Sequence, residues 1–195
     1  MSPARSQTLA DVAAPRASTL LHILLVVAAS LVTAGAAQLE LRLPWTPVPI
    51  TGQTFAVLLS GAVLGARRAF FAQCLYLAEG AAGLPFFSGG AAGVAHLVGP
   101  TGGYLVAFPF AAALTGLLAE HGWDRRPLRM FAAMLLGSAL IFGLGLAHLS
   151  AFVPTGALLS SGLLPFLPGD LIKSALAAGA FPVFWKLASR AEGRA

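Results

Sequence analysis

Apolar stretches close to 20 residues long recur along this chain, and they restrict what it can fold into. One of them, FAAMLLGSALIFGLGLAHL at residues 131–149, contains no charged side chain. A helix of about 20 apolar residues is what a chain needs to cross a hydrocarbon core of roughly 30 Å. Strands of a membrane barrel would instead alternate apolar and polar residues, and these stretches do not. The pattern therefore predicts transmembrane helices.

The low content of charged residues supports this interpretation. Only 10% of the 195 residues are charged and 57% are hydrophobic, whereas soluble domains carry about 25% charged residues. Such a chain cannot cover a water-exposed surface with polar groups. We predict an all-α integral membrane protein, in which the single cysteine, Cys74, offers no disulfide framework.

The apolar stretches divide the chain into six predicted transmembrane helices with short connections. We expect them at residues 18–41, 51–66, 69–87, 103–120, 128–151 and 167–188. They form one transmembrane domain, residues 18–188, between a disordered cytoplasmic tail over 1–17 and a short cytoplasmic tail over 189–195. A cleaved signal peptide is the alternative interpretation of residues 1–37, but their apolar run exceeds the usual signal core of about 7–15 residues.

The basic residues indicate the orientation of the helices, because Lys and Arg remain on the cytoplasmic side. Arg42 lies at one end of the predicted bundle and Lys173 lies within the last helix. The other ten of the twelve basic residues fall at the opposite end: Arg5, Arg16, Arg67, Arg68, Arg125, Arg126, Arg129, Lys186, Arg190 and Arg194. Both termini are therefore expected in the cytoplasm. The same charges explain the pI of 10.4 without a nucleic-acid partner.

Two charged residues lie unambiguously within a predicted helix. In LPFLPGDLIKSALA, Asp170 and Lys173 are three positions apart, so they share one helical face. A charge inside a span costs at least ~2.5–3.5 kcal/mol and is a functional candidate by default. One interpretation is that Lys173 meets a ligand carboxylate while Asp170 orients it. The alternative is an internal ion pair that only neutralises itself.

Other polar side chains are expected at the same, outer end of the bundle. Gln53 opens the second predicted helix, Tyr76 and Glu79 lie towards the outer end of the third, and GPTGGY at 99–104 precedes the fourth. Glu79 can also be interpreted as an interfacial carboxylate, and Tyr104 as an interface anchor. The convergence of these groups at one end predicts a mostly apolar pocket for a small ligand.

The glycine-rich turn at 99–104 is not a nucleotide site. A P-loop requires G-x-x-x-x-G-K-[ST], and no Lys follows these glycines. The four histidines share no metal-ligand spacing. Ser60, Ser138 and Ser161 lack the Gly two positions earlier that a G-x-S protease nucleophile needs. We therefore predict neither an enzyme nor a metal site.

Four segments resemble, in order and spacing, the signature segments of the BioY family. They are TPVPITGQTFAVLLSGAVLG, LYLAEGAAGLPFFSGG, GPTGGYLVAF and LPFLPGDLIKSALA. This family comprises biotin-specific substrate-binding membrane subunits (S components) of energy-coupling-factor (ECF) transporters. The resemblance covers roughly residues 20–187. It implies six helices and a biotin pocket that opens outwards, in the cytoplasmic membrane of a prokaryote.

The resemblance also implies roles for individual residues. Lys173 and Asp170 would serve the biotin carboxylate. The groups that would read the ureido ring are Gln53, Tyr76 and Glu79. The pocket would be closed by a turn that includes Thr101, Gly102 and Tyr104. No cofactor is implied for this chain, in which biotin is the transported ligand.

Energy for uptake would come from partners, because the chain contains no Walker A motif. The resemblance implies a transmembrane T subunit and two ATP-binding subunits. Small residues on the first predicted helix resemble the small-x-x-x-small pattern by which S components dock on the T subunit. These residues are Ala29, Ser30, Thr33, Ala34 and Ala37. Packing within the protein's own bundle is the alternative.

A self-standing secondary transporter of a small carboxylated solute is the alternative function. Charges within spans and interrupted helices are features that such transporters use. The sequence shows no inverted repeat, which disfavours this alternative.

Reporter fusions test the predicted topology. Tags at residues 67–68 or 125–126 should report a cytoplasmic location, because these loops carry the arginines, and tags within 88–100 or 152–163 should report an external one. The measurement is the activity of each fusion in intact cells. A cytoplasmic signal from 152–163 would contradict both the six-helix topology and the outward pocket.

Overall fold

The computed structural model is mainly helical and describes residues 7–15 and 17–191, with side chains through residue 188. Two short strands, β1 (Glu40–Leu41) and β2 (Ile50–Thr51), pair antiparallel. The helices of these residues are α1 (Leu9–Ala13), α2 (Thr19–Ala37), α3 (Gln53–Leu64), α4 (Ala66–Ala81), α5 (Val94–Val98), α6 (Gly102–Glu120), α7 (Pro127–Leu149), α8 (Leu158–Gly162) and α9 (Leu167–Ala191).

Helices form at all six predicted positions, but they differ in their capacity to cross a membrane. α3 has 12 residues, or about 18 Å at 1.5 Å per residue. α4 carries Arg67 and Arg68 in its first turn. Within the described part of the chain, the segments with the length and apolar composition for a crossing are Thr19–Ala37, Gly102–Glu120, Pro127–Leu149 and Thr155–Ala188.

Several helix ends differ from the prediction because of glycine conformation and a hairpin. The helix predicted at 69–87 begins at Ala66, directly after Gly65 with a φ of 82°, and ends before Gly83 with a φ of 108°. Side chains disfavour positive φ, so glycine is suited to both positions. The helix predicted at 18–41 ends at Ala37, and β1 and β2 follow it as an unpredicted hairpin.

α6 lies at the centre of the bundle and α2 lies at its edge. Two thirds of the α6 span (67%) is buried, compared with 22% of the Thr19–Ala37 span. Small residues permit close approach to α6: a Cβ on Gly116 would come within 2.5 Å of the backbone at Gly65 and Ala66. α3, α4 and α7 all pack directly against α6. The helices at the candidate pocket are therefore held by one buried element.

The described arginines of the two turns between helices gather at one end of the bundle. The turn between α6 and α7 contacts α9, where Arg125 lies 4.3 Å over the Trp185 ring. Trp185 Nε1 donates a hydrogen bond of 2.6 Å to Asp124 Oδ2. Asp124 is fully buried, and this burial raises its pKa to about 6. We call this the basic end. Arg5, Arg16 and Arg194 lie outside the described residues, as does the Arg190 side chain.

Part of the predicted disordered tail is ordered, which corrects that prediction for its described residues. Thr8 caps α1: its backbone N donates to Asp11 Oδ2 at 3.0 Å, and its hydroxyl accepts from Asp11 N at 3.4 Å. Arg68 Nη2 donates to Asp11 Oδ1 at 2.5 Å, which ties α1 to the start of α4. These contacts bury Thr8, 1% exposed, at the basic end. Residues 1–6, 16 and 192–195 of the predicted tails lie outside the described structure.

The predicted docking stripe on α2 packs inside the protein, so the prediction that it forms an external surface is wrong. Thr33 Oγ1, for example, accepts a hydrogen bond of 3.2 Å from Gln73 Nε2 of α4. Ala29 is partly buried and packs against the core. The other four residues are buried: Ser30, Thr33, Ala34 and Ala37. The opposite side of α2 is exposed instead, at Ile23, Leu24, Ala28, Leu31 and Val32.

Two alanines of α2 test this orientation. Ala34 is 6% exposed and Ala28 is exposed. Ala34→Leu should destabilise the protein by about 1–3 kcal/mol, because extra methyl groups overpack a closed interface. Ala28→Leu is the matched control and should leave the thermal unfolding midpoint in detergent nearly unchanged. Equal midpoints for the two variants would contradict the buried stripe.

Candidate functional site

A cavity lies at the end of the bundle opposite the basic end, beneath the hairpin of β1 and β2. It is enclosed by residues of the hairpin, α3, α5, α6, α7 and α9. Five of the predicted site residues line it: Gln53, Thr101, Tyr104, Asp170 and Lys173. Residues more than 100 positions apart in the sequence therefore converge on one cavity.

Lys173 points from α9 towards the hairpin. Its Nζ donates a hydrogen bond of 2.9 Å to the Thr51 carbonyl oxygen. Asp170, one turn earlier, accepts a bond of 2.7 Å from Ser138 Oγ of α7. Across the described residues, no carboxylate oxygen lies within 4.0 Å of Lys173 Nζ. The two charges share a helical face as predicted, but they do not form a direct ion pair. Among the described residues, the ammonium bonds only the neutral Thr51 carbonyl.

Gln53 and Tyr76 form a buried hydrogen-bonded chain beside the cavity. Gln53 Nε2 donates to Tyr76 Oη at 2.6 Å, and Tyr76 Oη donates to the Phe86 carbonyl at 3.2 Å. Gln53 Oε1 accepts from Thr51 Oγ1 at 3.0 Å. Tyr76 is 0% exposed and does not line the cavity, so it positions the Gln53 amide, which does. Gln53 and Tyr76 therefore lie together as predicted, but only Gln53 lines the cavity, while Tyr76 holds its amide in place.

The glycine-rich turn contributes two of its three predicted residues to the cavity. Thr101 and Tyr104 line it, and Tyr104 Oη donates to the Gly162 carbonyl at 2.8 Å. Tyr104 is 7% exposed, which contradicts its interpretation as an interface anchor. Gly102 lies behind the lining, where a Cβ would overlap the Leu97 carbonyl. Its role is to let α5 approach the start of α6 closely.

Glu79 does not take part in the cavity. It lies near the end of α4, partly buried, and is not among the lining residues. Its Oε2 is buried without a hydrogen-bond partner in the described structure. The structure therefore separates Glu79 from Gln53, although the family resemblance implies that both read the ureido ring.

His96 of α5 lines the cavity and was not expected there. Its ring stacks on Phe87 with centroids 5.0 Å apart and planes 14° apart, and its Nε2 lies 3.3 Å from Thr101 Oγ1. Burial first, and then the Arg42 guanidinium, lower the pKa of His96 below its usual range, which favours the neutral ring. The one feature of the sequence that could have indicated a place for His96 in the cavity is its position five residues before Thr101.

Aromatic side chains form much of the apolar lining. Phe108, Phe142 and Phe166 come from α6, from α7 and from the segment before α9. Phe142 and Phe166 lie 6.1 Å apart between ring centroids. No pattern in the sequence distinguishes these residues from lipid-facing phenylalanines, because apolar residues are not confined to one face of α6, α7 or α9.

The cavity is narrow in this structure. Its volume is about 50 Å³, enough for a few water molecules and well below the ~300–1,000 Å³ of most small-ligand sites. Hydrogen bonds join the hairpin above it to the helices: Lys173 bonds the Thr51 carbonyl, Thr51 Oγ1 bonds Gln53 Oε1, and Thr46 Oγ1 bonds the Ser161 carbonyl at 2.6 Å. A ligand of biotin size therefore requires that part of the lining move.

Comparisons with known proteins agree on one family. A family model described as the BioY family matches residues 7–190. The probable biotin transporter BioY of Pyrococcus horikoshii is 40% identical over 131 residues, which cover 67% of this chain and 76% of that protein. The biotin transporter BioY of Rhizobium etli is 38% identical over 146 residues, covering 71% and 78%.

A solved structure is similar as well. It is the crystal structure of the S-component for biotin from an ECF-type ABC transporter, which superposes with a TM-score of 0.70 and 26% sequence identity. The match covers 87% of this chain and 95% of that chain. Together with the apolar helices, these likenesses indicate a multi-pass membrane protein.

Removing the Tyr76 hydroxyl tests the positioning chain. Tyr76→Phe leaves Gln53 Nε2 and the Phe86 carbonyl without their partner, so we expect a loss of about 1–3 kcal/mol of stability. Ser160→Ala is the control, because its exposed hydroxyl bonds only the Ala157 carbonyl. Thermal unfolding in detergent measures both variants. A Tyr76→Phe midpoint equal to that of Ser160→Ala would contradict the structural role of the hydroxyl.

Proposed function

The chain belongs to the BioY family, and from this membership we propose that it binds biotin and supports biotin uptake as the S component of an ECF-type transporter. It is a transport protein and not an enzyme. The observation that carries the proposal is the environment of Lys173, an ammonium inside an apolar cavity with no carboxylate within 4.0 Å in the described structure. An anionic ligand would supply the missing counter-charge.

The lining matches the chemistry of biotin. Lys173 would bind the carboxylate, and the Gln53 amide, with both donor and acceptor atoms, suits the ureido group. Phe108, Phe142 and Phe166 would pack against the apolar ring and chain. Asp170, held by its hydrogen bond with Ser138, would orient Lys173 from the same helical face.

Binding would open the cavity by replacing one contact of the hairpin. Lys173 holds the Thr51 carbonyl in the narrow structure, and a ligand carboxylate would compete for the same ammonium. A bond from an ammonium to a carboxylate, in which both partners are charged, is stronger than its bond to a neutral carbonyl. The exchange would weaken the attachment of β2 to α9 and give the ligand room beneath the hairpin.

We place the cavity on the outer side of the prokaryotic cytoplasmic membrane, with six crossing helices and both termini in the cytoplasm. The arginines of the basic end support this orientation through the positive-inside tendency. α3 is short, and β2 leads directly into it, so this crossing would include the β2 segment. The energy for uptake would come from a T subunit and two ATP-binding subunits, and this chain itself needs no cofactor.

Biotin titration of the purified chain tests the proposal through Lys173. Lys173→Ala removes a charge-assisted contact and leaves the ligand anion unpaired in the cavity. We expect a loss of ~2–5 kcal/mol, or about 30-fold to several-thousand-fold in affinity. Lys173→Arg should recover only part of it, because the planar guanidinium does not replace a compact ammonium.

The comparison between biotin and its methyl ester separates a carboxylate contact from a general loss of fold. The wild type should prefer biotin, and Lys173→Ala should lose most of that preference. Lys186→Ala, at the other end of α9, is the matched control and should keep it. A folded Lys173→Ala variant that still discriminates like the wild type would show that the carboxylate binds elsewhere. Uptake by this chain in cells without the partner subunits would favour a self-standing transporter.

A further inference from the structure

A second cavity lies between α2 and α4 at the basic end, far from the candidate biotin site. Its volume is about 620 Å³, within the ~300–1,000 Å³ of small-ligand sites. We call it the α2–α4 cleft. None of its lining residues lines the first cavity, so it requires an explanation of its own.

Away from its charged residues, the walls of the α2–α4 cleft are apolar, and the cleft opens at the outside of the helix bundle. Val26 and Val27 of α2 face Phe71 and Leu75 of α4 across it. Phe71 is 52% exposed at its edge, so the cleft is not sealed. From Arg67 to Leu75 the helix rises about 12 Å, most of the ~15 Å depth of one leaflet. An acyl chain fits these walls, whereas a water-soluble anion gains nothing from them.

Most charged groups of the cleft are already paired. Arg68 donates to Asp11 and to the Leu64 carbonyl, the latter at 2.7 Å. Glu120 Oε1 accepts the Ala66 backbone N–H at 2.9 Å. Of the two acidic residues of the lining, Asp11 therefore bonds Arg68, and Glu120 accepts a hydrogen bond from the backbone at the start of α4.

Arg67, in contrast to Arg68, Asp11 and Glu120, is a charged residue of the cleft without a polar partner among the described residues. It is exposed at the mouth of the cleft, and it forms no ion pair or hydrogen bond with any residue that the structure describes. His22 lies in the opposite wall, where its Nδ1 is buried without a hydrogen-bond partner in the same set of residues. A cation and an unused ring nitrogen thus stand at the polar end of an apolar cleft.

From this arrangement we infer that the α2–α4 cleft binds one anionic phospholipid of the cytoplasmic leaflet. The phosphate lies against the Arg67 guanidinium, the headgroup or glycerol oxygens lie within reach of His22, and one acyl chain occupies the space between α2 and α4. Cytoplasmic leaflets are rich in anionic lipid, and basic pockets between helices on that side suit such headgroups. This site is independent of biotin binding.

Native mass spectrometry of the full chain in an uncharged detergent tests the inference. The protein is offered equal amounts of dioleoyl phosphatidylglycerol and dioleoyl phosphatidylcholine. We expect the anionic lipid to be retained about fivefold more than the zwitterionic one, the ratio that one basic residue at a membrane surface provides. Arg67→Gln should reduce the ratio to about one.

Arg126→Gln is the matched control, because Arg126 is also an exposed arginine of the basic end but lies outside the cleft. It should keep the wild-type ratio. Val26→Trp should fill the apolar part and lower retention of both lipids, and thermal unfolding confirms that each variant is folded. Equal retention of the two lipids by the wild type would overturn the inference, as would an equal loss in Arg67→Gln and Arg126→Gln. Displacement of the lipid by excess soluble glycerol phosphate would also overturn it, because the apolar walls would then be unused.

Discussion

Polar groups that leave water must find partners within the protein, and this constraint shapes every part of the molecule. The backbone satisfies it by forming helices around α6. Inside the bundle, polar side chains satisfy it in short chains such as Gln73 to Thr33, at 3.2 Å, and Ser138 to Asp170, at 2.7 Å. Lys173 satisfies it only in part, through a neutral carbonyl. Because Lys173 lines the cavity, this incomplete pairing leaves its ammonium accessible to an anionic ligand there.

The two ends of the bundle differ in how their polar and charged groups find partners. At the basic end, charges pair with each other or with aromatic rings: Arg68 bonds Asp11, and Arg125 covers Trp185. These contacts tie α1, α4 and α9 together and leave Arg67 without a partner among the described residues. At the opposite end the chain uses a short hairpin, aromatic side chains and few charges to enclose a cavity. Charge pairs therefore join the helices at one end, while hydrogen bonds from Thr46, Thr51 and Lys173 hold the hairpin over the cavity at the other.

Three differences between expectation and structure have physical causes. The small residues of α2 repeat every four positions whether a helix packs inward or outward, so spacing alone did not reveal that Thr33 and Ala34 face α4. Glu79 lies on the same helix as Tyr76 but not in the cavity lining. His96 enters the cavity because a glycine turn folds the short α5 against α6, a long-range arrangement with no local signature.

The sequence by itself determined the membrane class, the positions of six helices, the family, and the convergence of Gln53, Thr101, Tyr104, Asp170 and Lys173 at one end. The membrane class and the helix positions follow from the length of the apolar runs, the family from the resemblance of the signature segments, and the convergence from the positions of the basic residues and of the polar groups in the helices. Only the tertiary structure decided that Asp170 bonds Ser138 instead of Lys173, and that Tyr76 accepts a hydrogen bond from Gln53 without lining the cavity. Those choices depend on how helices rotate against each other. Where apolar residues occur around a whole helix, the pattern of residues along it does not encode that rotation.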